Sequence, residues 1–207
     1  MNIIVMGVQG SGKGTQAELL KDKYAIAHIC TGEMFREGFA KGTLLGVKAH
    51  AYWSFGNLVP DDIVNGLVKE RISELDCTQG FVLDGFPRTV PQAEFLEQIV
   101  DIDIVINLDI SEAVAVRRFG HRVSCVSCGK LYGIDVPSSN AGVCDECGGR
   151  LEKRADDTPE KIAKRLQEYH QKTKPLLEFY QKKGIVYTID ASKSIERVHE
   201  ELVSLLT

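Results

Sequence analysis

Residues 3 to 15 read Ile-Ile-Val-Met-Gly-Val-Gln-Gly-Ser-Gly-Lys-Gly-Thr, and no other stretch limits the fold as tightly. The apolar run Ile3-Ile4-Val5-Met6 stops at Gly7, and Gly10 and Gly12 follow before Lys13. Such a run is too short for a helix and reads as a strand buried on both faces. Without a Cβ, Gly7, Gly10 and Gly12 tolerate positive φ, so the chain can curl and aim several N–H groups inward. Those donors, with the N-terminal dipole of the next helix, form a cradle for phosphate oxygens. Lys13 adds a mobile cation for the outer phosphates, and a nearby hydroxyl can serve a magnesium ion. The usual motif places Ser or Thr directly after the lysine; here Gly14 intervenes and the hydroxyl is Thr15. The competing reading is an ordinary glycine-rich turn. The strand before and the helix-forming Gln16-Ala17-Glu18-Leu19-Leu20 after favour a phosphate loop.

Further strand-like runs occur at Phe81–Leu83, Ile104–Leu108 and Val186–Ile189, with a weaker one at Ala27–Ile29. Buried strands alternating with helical patterns predict an α/β fold, a parallel five-stranded sheet covered by helices on both faces. Ligands of such sheets sit at the carboxyl ends of the strands, where the 7–15 loop lies. Pro60-Asp61 opens a helix through Arg71 with Ile63, Leu67 and Val68 on one face. Thr158-Pro159 is an N-cap followed by proline at the first helical position, with Ile162, Leu166 and Tyr169 behind it. A last helix from Ser194 turns Ile195, Val198, Leu202 and Leu205 toward the core. Residues 30–59 and 121–157 interrupt the alternation and read as insertions into one core made of 1–29, 60–120 and 158–207.

The formal charge of −4 over 207 residues argues against a chain whose main task is wrapping nucleic acid. No charged leader with a long apolar stretch opens the chain, and no run is long enough to span a membrane. A cytoplasmic location is the resulting expectation. Cys30 and Cys77 are isolated and read as buried small hydrophobes. Cys125-x-x-Cys128, fifteen intervening residues and Cys144-x-x-Cys147 have the spacing of a zinc knuckle pair. Four thiolates leave no open position, so the zinc is structural. Two disulfides or a redox pair are the alternative, disfavoured in a cytoplasmic chain. Between the pairs Lys130 stands alone against Asp135, Asp145 and Glu146, which disfavours nucleic-acid binding.

Phe81-Val82-Leu83-Asp84 is a strand ending in an acid, placed to orient magnesium or its waters beside a phosphate loop; a turn or N-cap aspartate is the other reading. Arg88 follows on a Gly-Phe-Pro turn, and Arg36, Arg117, Arg118, Arg122, Arg154 and Arg165 are spread along the chain. Positioned guanidinium groups suit a moving phosphoryl group.

Taken in order, several segments resemble the adenylate kinase family in its long-lid, zinc-bearing bacterial form. They are Gly-Val-Gln-Gly-Ser-Gly-Lys-Gly-Thr (7–15), Thr-Gly-Glu-Met-Phe-Arg (31–36), Gly-Asn-Leu-Val-Pro-Asp (56–61), Asp-Gly-Phe-Pro-Arg-Thr (84–89) with Gln92, the four cysteines, Arg-Ala-Asp-Asp (154–157) and Lys-Arg-Leu (164–166). The Lys13-Gly14-Thr15 ending is that family's own variant of the loop. The resemblance implies a P-loop NTPase-like core, a nucleoside-monophosphate-binding arm at 30–59 and a zinc-binding lid at 121–157. It implies a monomer that uses Mg2+ and transfers phosphoryl groups reversibly from ATP to AMP, giving two ADP.

Residue by residue, the resemblance assigns ATP to Gly10, Ser11, Gly12, Lys13, Gly14, Thr15, Arg117, Arg122, Leu131, Tyr132 and the backbone of Lys193. It assigns AMP to Thr31, Arg36, Asn57, Leu58, Val59, Gly85, Arg88, Gln92, Arg154 and Arg165, with Gln92 facing the adenine. Lys13, Arg88, Arg122, Arg154, Arg165 and Asp84 are the implied catalytic set. Cys125, Cys128, Cys144 and Cys147 are the implied zinc ligands. Three departures stand out: Glu33 replaces the usual Asp, Gly120-His121-Arg122 replaces Gly-Arg-Arg, and an extra residue precedes the first cysteine. A register shift to Arg122 is the preferred reading, with His121 the alternative. Two other functions remain open at this stage: a P-loop kinase for another monophosphate, and a zinc-ribbon nucleotide- or RNA-binding module.

Overall fold

The computed structural model describes residues 1–154 and 157–206. Ala155 and Asp156 of the 154–157 segment, and Thr207, lie outside the described residues. The chain begins with β1 (Asn2–Met6), α1 (Lys13–Tyr24), β2 (Ala27–Cys30), α2 (Thr31–Ala40), α3 (Leu44–Trp53) and α4 (Asp61–Ile72). Next come β3 (Phe81–Asp84), α5 (Val90–Glu97), β4 (Ile104–Asp109), α6 (Glu112–Gly120) and three short strands, β5 (Val123–Cys125), β6 (Leu131–Tyr132) and β7 (Leu151–Glu152). The remainder is α7 (Pro159–Glu168), a wide turn over Tyr169–Thr173, α8 (Pro175–Gln181), β8 (Val186–Asp190) and α9 (Ile195–Leu206).

The large sheet has the order β2-β3-β1-β4-β8, all parallel, with Ile4 opposite Leu83 on one side and Val105 on the other. Period-two alternation sorts its side chains onto two faces. Ile4, Met6, Leu83 and Val105 pack beneath Val64 and Val68 of α4, Leu96 of α5 and Leu176 and Tyr180 of α8. Ile3, Val5, Val82 and Ile106 pack beneath Ala17 and Leu20 of α1 and Val198 and Leu202 of α9. Both layers are apolar over β1, β3 and β4, which is why those strands read as nearly continuous apolar runs. All strand carboxyl ends meet at one edge, where Asp84 stands beside Val5 and Cys30.

Helix ends follow their capping residues. Thr89, Ser111 and Thr158 each accept a hydrogen bond from a backbone N–H three residues on. Three details differ from the sequence-based expectation. Leu205 is 39% exposed, because the buried stripe of α9 continues by fours from Val198 and Leu202 to Leu206. Val64 and Val68 carry the buried face of α4, whereas Ile63 and Leu67 are only partly covered. Cys77 is buried, but Cys30 is partly exposed at the edge of a cleft.

Strands β6-β5-β7 form a separate antiparallel sheet, pairing Val123 with Tyr132 and Cys125 with Leu151. Its buried centre among the described residues is Cys125, Tyr132 and Cys144, edged by Val123, Val136 and Leu151.

Candidate active site

The loop after β1 turns on Gly7, Gly10 and Gly12, at φ of 142°, 85° and 92°. A Cβ on Gly10 would stand 2.9 Å from the Ala115 carbonyl oxygen, so α6 and the loop approach closely only with glycine there. Gly12 is the N-cap of α1 and supplies no side-chain acceptor, which leaves the first N–H groups of the helix directed outward. Lys13 curls back over the loop, donating from Nζ to the carbonyls of Gly7 and Val8 at 2.9 and 3.0 Å. Burial pulls its ammonium down to about 8, Asp84 opposes that, and Arg88 and Arg122 add to it. Cations crowded around an uncharged cradle are the electrostatic signature of a site awaiting polyanions.

This loop floors a cleft of about 320 Å³. Residues 10–15, Thr31, Arg36, Asn57, Leu58, Val59, Asp84, Gly85, Arg88 and Gln92 line it, joined by Arg122, Leu131, Tyr132, Arg154, Arg165 and Lys193. Arg117 is exposed on α6 and stands outside the lining, while its neighbour Arg118 is inside, with Nη1 2.9 Å from the Ala191 carbonyl. His121 is likewise exposed, with its Nδ1 2.9 Å from the Arg117 carbonyl oxygen, so the lining residue of that pair is Arg122.

Opposite the loop, the Gly85 carbonyl accepts from Thr31 Oγ1 at 3.0 Å and from Arg88 Nε at 2.8 Å. Gln92, 2% exposed, accepts from the Arg88 amide at 2.7 Å and donates from Nε2 to Asp61 at 2.6 Å. Burial lowers the Arg88 guanidinium below its ordinary value, with Asp84 opposing, yet an arginine stays protonated in proteins. Between the two sides, the Asp157 carboxylate binds Arg122 through Nε at 2.9 Å and Nη2 at 2.7 Å, and Arg165 through Nη1 at 3.1 Å. One acid thus fixes two guanidinium forks toward the same space. Arg122 also lies over the Phe119 ring, 4.1 Å from its centroid.

Asp61 and Asp157 were not singled out as site residues from sequence, although both sit inside the quoted segments. Each acts on another site residue and not on the cleft directly, so no spacing rule points to it.

The four cysteines also converge. Their Sγ atoms lie within 4.8 Å of one another, with Cys125–Cys147 at 3.5 Å and Cys128–Cys144 at 3.6 Å and no disulfide formed. Zinc–sulfur bonds of about 2.3 Å in a tetrahedron separate sulfurs by roughly 3.8 Å, so the donor set fits that ion. Groups that hold the sulfurs are in place: the Ser127 amide points at Cys125, and Tyr132 Oη contacts the Cys144 sulfur at 3.4 Å. The Tyr132 hydroxyl holds the Cys144 thiol down at about 6, favouring the thiolate a metal needs. A Cβ on Gly149 would stand 2.8 Å from Cys125 Sγ, so the knuckle closes only over glycine.

A glycine cradle on a helix N-terminus, a lysine curled into it, and arginines from both interruptions of the core define a P-loop phosphotransferase with two anion-binding sides. Comparison with known proteins narrows the class. The family model for adenylate kinase matches residues 5–185. Adenylate kinase of Archaeoglobus fulgidus is 47% identical over 212 aligned residues, covering 100% of this chain and 98% of that protein. Those of Geobacillus sp. and Methanosarcina acetivorans are 46% and 47% identical with the same coverage. The chain belongs to the adenylate kinase family.

Proposed function

We propose that the cleft holds ATP over residues 10–15 and AMP against Thr31, Arg36 and Gln92, with the phosphoryl group passing in line between them. The chain is an ATP:AMP phosphotransferase, and its reaction is Mg-ATP plus AMP giving two ADP, reversibly. The observation that supports the residue roles is the gathering of Lys13, Arg88, Arg122, Arg154 and Arg165 around one cleft.

No side chain needs to form a covalent bond. Holding two nucleotides in line removes most of the entropic barrier, and positioned cations offset the charge spread over the moving group. Lys13 leaves the Gly7 and Val8 carbonyls for the ATP phosphates, which return the charge that burial takes from it. Arg122 and Arg165, already aimed by Asp157, reach the transferring group together with Arg154, and Arg88 holds the acceptor phosphate. Magnesium arriving with ATP supplies further positive charge at the phosphates, and the nearly buried Asp84 carboxylate is the group that would orient it. Asn57, Leu58, Val59 and Gly85 border the AMP side, with Gln92 exchanging its Asp61 contact for the adenine edge. Leu131 and Tyr132 border the ATP side, and there Arg118, not Arg117, is the α6 arginine in the lining. Lys193 acts through its backbone there, because its Nζ is held by Glu201 at 2.8 Å.

Residues 30–59 act as an arm and 121–157 as a lid, closing over bound nucleotides so that water does not become the acceptor. Zinc on Cys125, Cys128, Cys144 and Cys147 stiffens the lid without entering the chemistry. One chain lines the whole cleft, so a single copy suffices.

The test is ADP formation from Mg-ATP with AMP present or omitted, followed by other nucleoside monophosphates. Strong dependence on AMP is expected; equal rates without it would sink the two-nucleotide reading, and preference for another monophosphate would sink the AMP assignment. Chelation of the metal should lower melting temperature more than initial rate. Immediate loss of all turnover in a still-folded protein would rule out a purely structural zinc.

A further inference from the structure

A second group of metal-ligating side chains lies at the carboxyl edge of the large sheet, beside the phosphate loop and apart from the four cysteines. His28 and Cys30 are two apart on β2 and so share a face, and Asp84 ends the neighbouring strand opposite Cys30. A His28 ring nitrogen, the Cys30 sulfur and an Asp84 carboxylate oxygen all lie within 4.8 Å of one another, with His28 Nε2 at 3.9 Å from Asp84 Oδ2. The His28 side chain is 11% exposed, and its Nε2 is buried with no hydrogen-bond partner. Its other nitrogen, Nδ1, sits 3.0 Å from Glu18 Oε2 on α1. Donation from Nδ1 to that carboxylate places the lone pair on Nε2 and turns it toward Cys30 and Asp84. A carboxylate behind a histidine is the arrangement that orients metal-bound imidazoles.

We propose that His28, Cys30 and Asp84 form a second transition-metal site, at which a thiophilic divalent cation such as zinc binds and inhibits phosphoryl transfer by occupying Asp84. The binding follows from the cluster itself; the inhibition rests on the role given to Asp84 above. Zinc bonds of about 2.0–2.3 Å place neighbouring ligands roughly 3.3–3.8 Å apart, so the side chains close in by at most about an ångström on binding. Three protein ligands leave a position for water or a phosphate oxygen. One nitrogen, one sulfur and one oxygen suit zinc or cadmium and not magnesium or calcium, which take oxygen ligands. The nearby cations Lys13 and Arg88, both of which face Asp84, work in the same direction. They oppose a hard ion held by charge alone and leave a site whose affinity comes from the imidazole and from the Cys30 sulfur. The metal must displace that sulfur's proton, because burial pushes the thiol up to about 12.

The test uses the full chain with the four-cysteine site already filled with zinc. It is dialysed without nucleotide against buffered micromolar free zinc, and bound metal is counted. The wild type should take up a second equivalent; Cys30→Ser and His28→Gln should not, while keeping their turnover in metal-buffered Mg-ATP and AMP. Glu18→Gln should weaken the second equivalent about ten- to hundred-fold without abolishing it. In parallel, free zinc at that level should slow the wild type and spare Cys30→Ser. No second equivalent in the wild type, or one unchanged in both ligand variants, would overturn the site. Uptake without slowing would overturn the block at Asp84. Absence of ADP formation by the wild type from Mg-ATP and AMP without free zinc would instead point to a failure of the kinase reading.

Discussion

The large sheet and the cysteine-held sheet solve the same problem with different means. Beneath β1, Ile3, Ile4, Leu83, Val105 and Ile106 are fully enclosed between helices, so burial of apolar surface holds the phosphate loop. Around β5 the buried set among the described residues is two cysteines and a tyrosine, with nothing large and aliphatic fully enclosed among them. A region of that size cannot offset its chain entropy by burial, and a metal on the four thiolates, as proposed above, would take over the task. The difference teaches where rigidity is required: the cradle must be preformed, whereas a sheet acting as the proposed lid needs only to be a firm unit.

Four experiments press on that contrast. The largest effect is expected from Cys144→Ser, which should lose zinc and leave the 121–152 region open to proteolysis while far-UV circular dichroism of the large sheet persists. Zinc-site energies of about 10–16 kcal/mol in small metal domains set the scale. Cooperative unfolding of the whole chain in that variant would show that the two regions are one unit.

Lys13→Ala comes next, at about a thousandfold in kcat/KM, or ~4 kcal/mol, with melting temperature unchanged or raised because a buried cation is removed. Steady-state rates beside a thermal melt check both halves. Near-normal turnover would remove Lys13 from the charge-neutralising set.

Leu202→Ala mirrors Cys144→Ser. It should cost about 2–5 kcal/mol of global stability by chemical denaturation while bound zinc stays at its wild-type level. Loss of zinc in step with the core would again merge the two regions.

The smallest effect is one of pH. In the nucleotide-free protein Lys13 sits at about 8, and bound phosphates raise it again. Below that pH the lysine is already charged and ATP affinity is flat on this account. Above it, binding must take up a proton, so affinity should fall up to about tenfold, or ~1.4 kcal/mol, per pH unit. Calorimetry at pH 9 in two buffers of different ionisation enthalpy reads the proton directly. Identical heats in both buffers would show that Lys13 does not titrate on binding.

Much of the site was legible because local rules apply to it. Gly7–Thr15 announces itself through glycine and lysine at fixed offsets after a strand, and the two Cys-x-x-Cys pairs through a spacing that turns thiolates the same way. Asp157 and Asp61 were invisible for the opposite reason: each holds other site residues, Arg122 and Arg165 in one case and Gln92 and Thr89 in the other. Sequence assigned Arg117 to ATP, yet Arg118 lines the cleft, and the open pair His121 and Arg122 resolves to Arg122; both outcomes turn on the rotation of α6 and its exit, which helical spacing leaves undetermined.

From its own residues the chain settles the order of strands and helices, the phosphate cradle and the metal knuckle, since φ preference, period and ligand spacing act within a few residues of sequence. Tertiary structure alone decides which distant groups share a space. The pairing of β2 with β3 and β3 with β1 brings Cys30, Asp84 and the loop after Met6 to one edge. The same packing sets the partly buried Lys13 among Arg88, Arg122 and Asp84, and reduced contact with water is what gives those charges their strength.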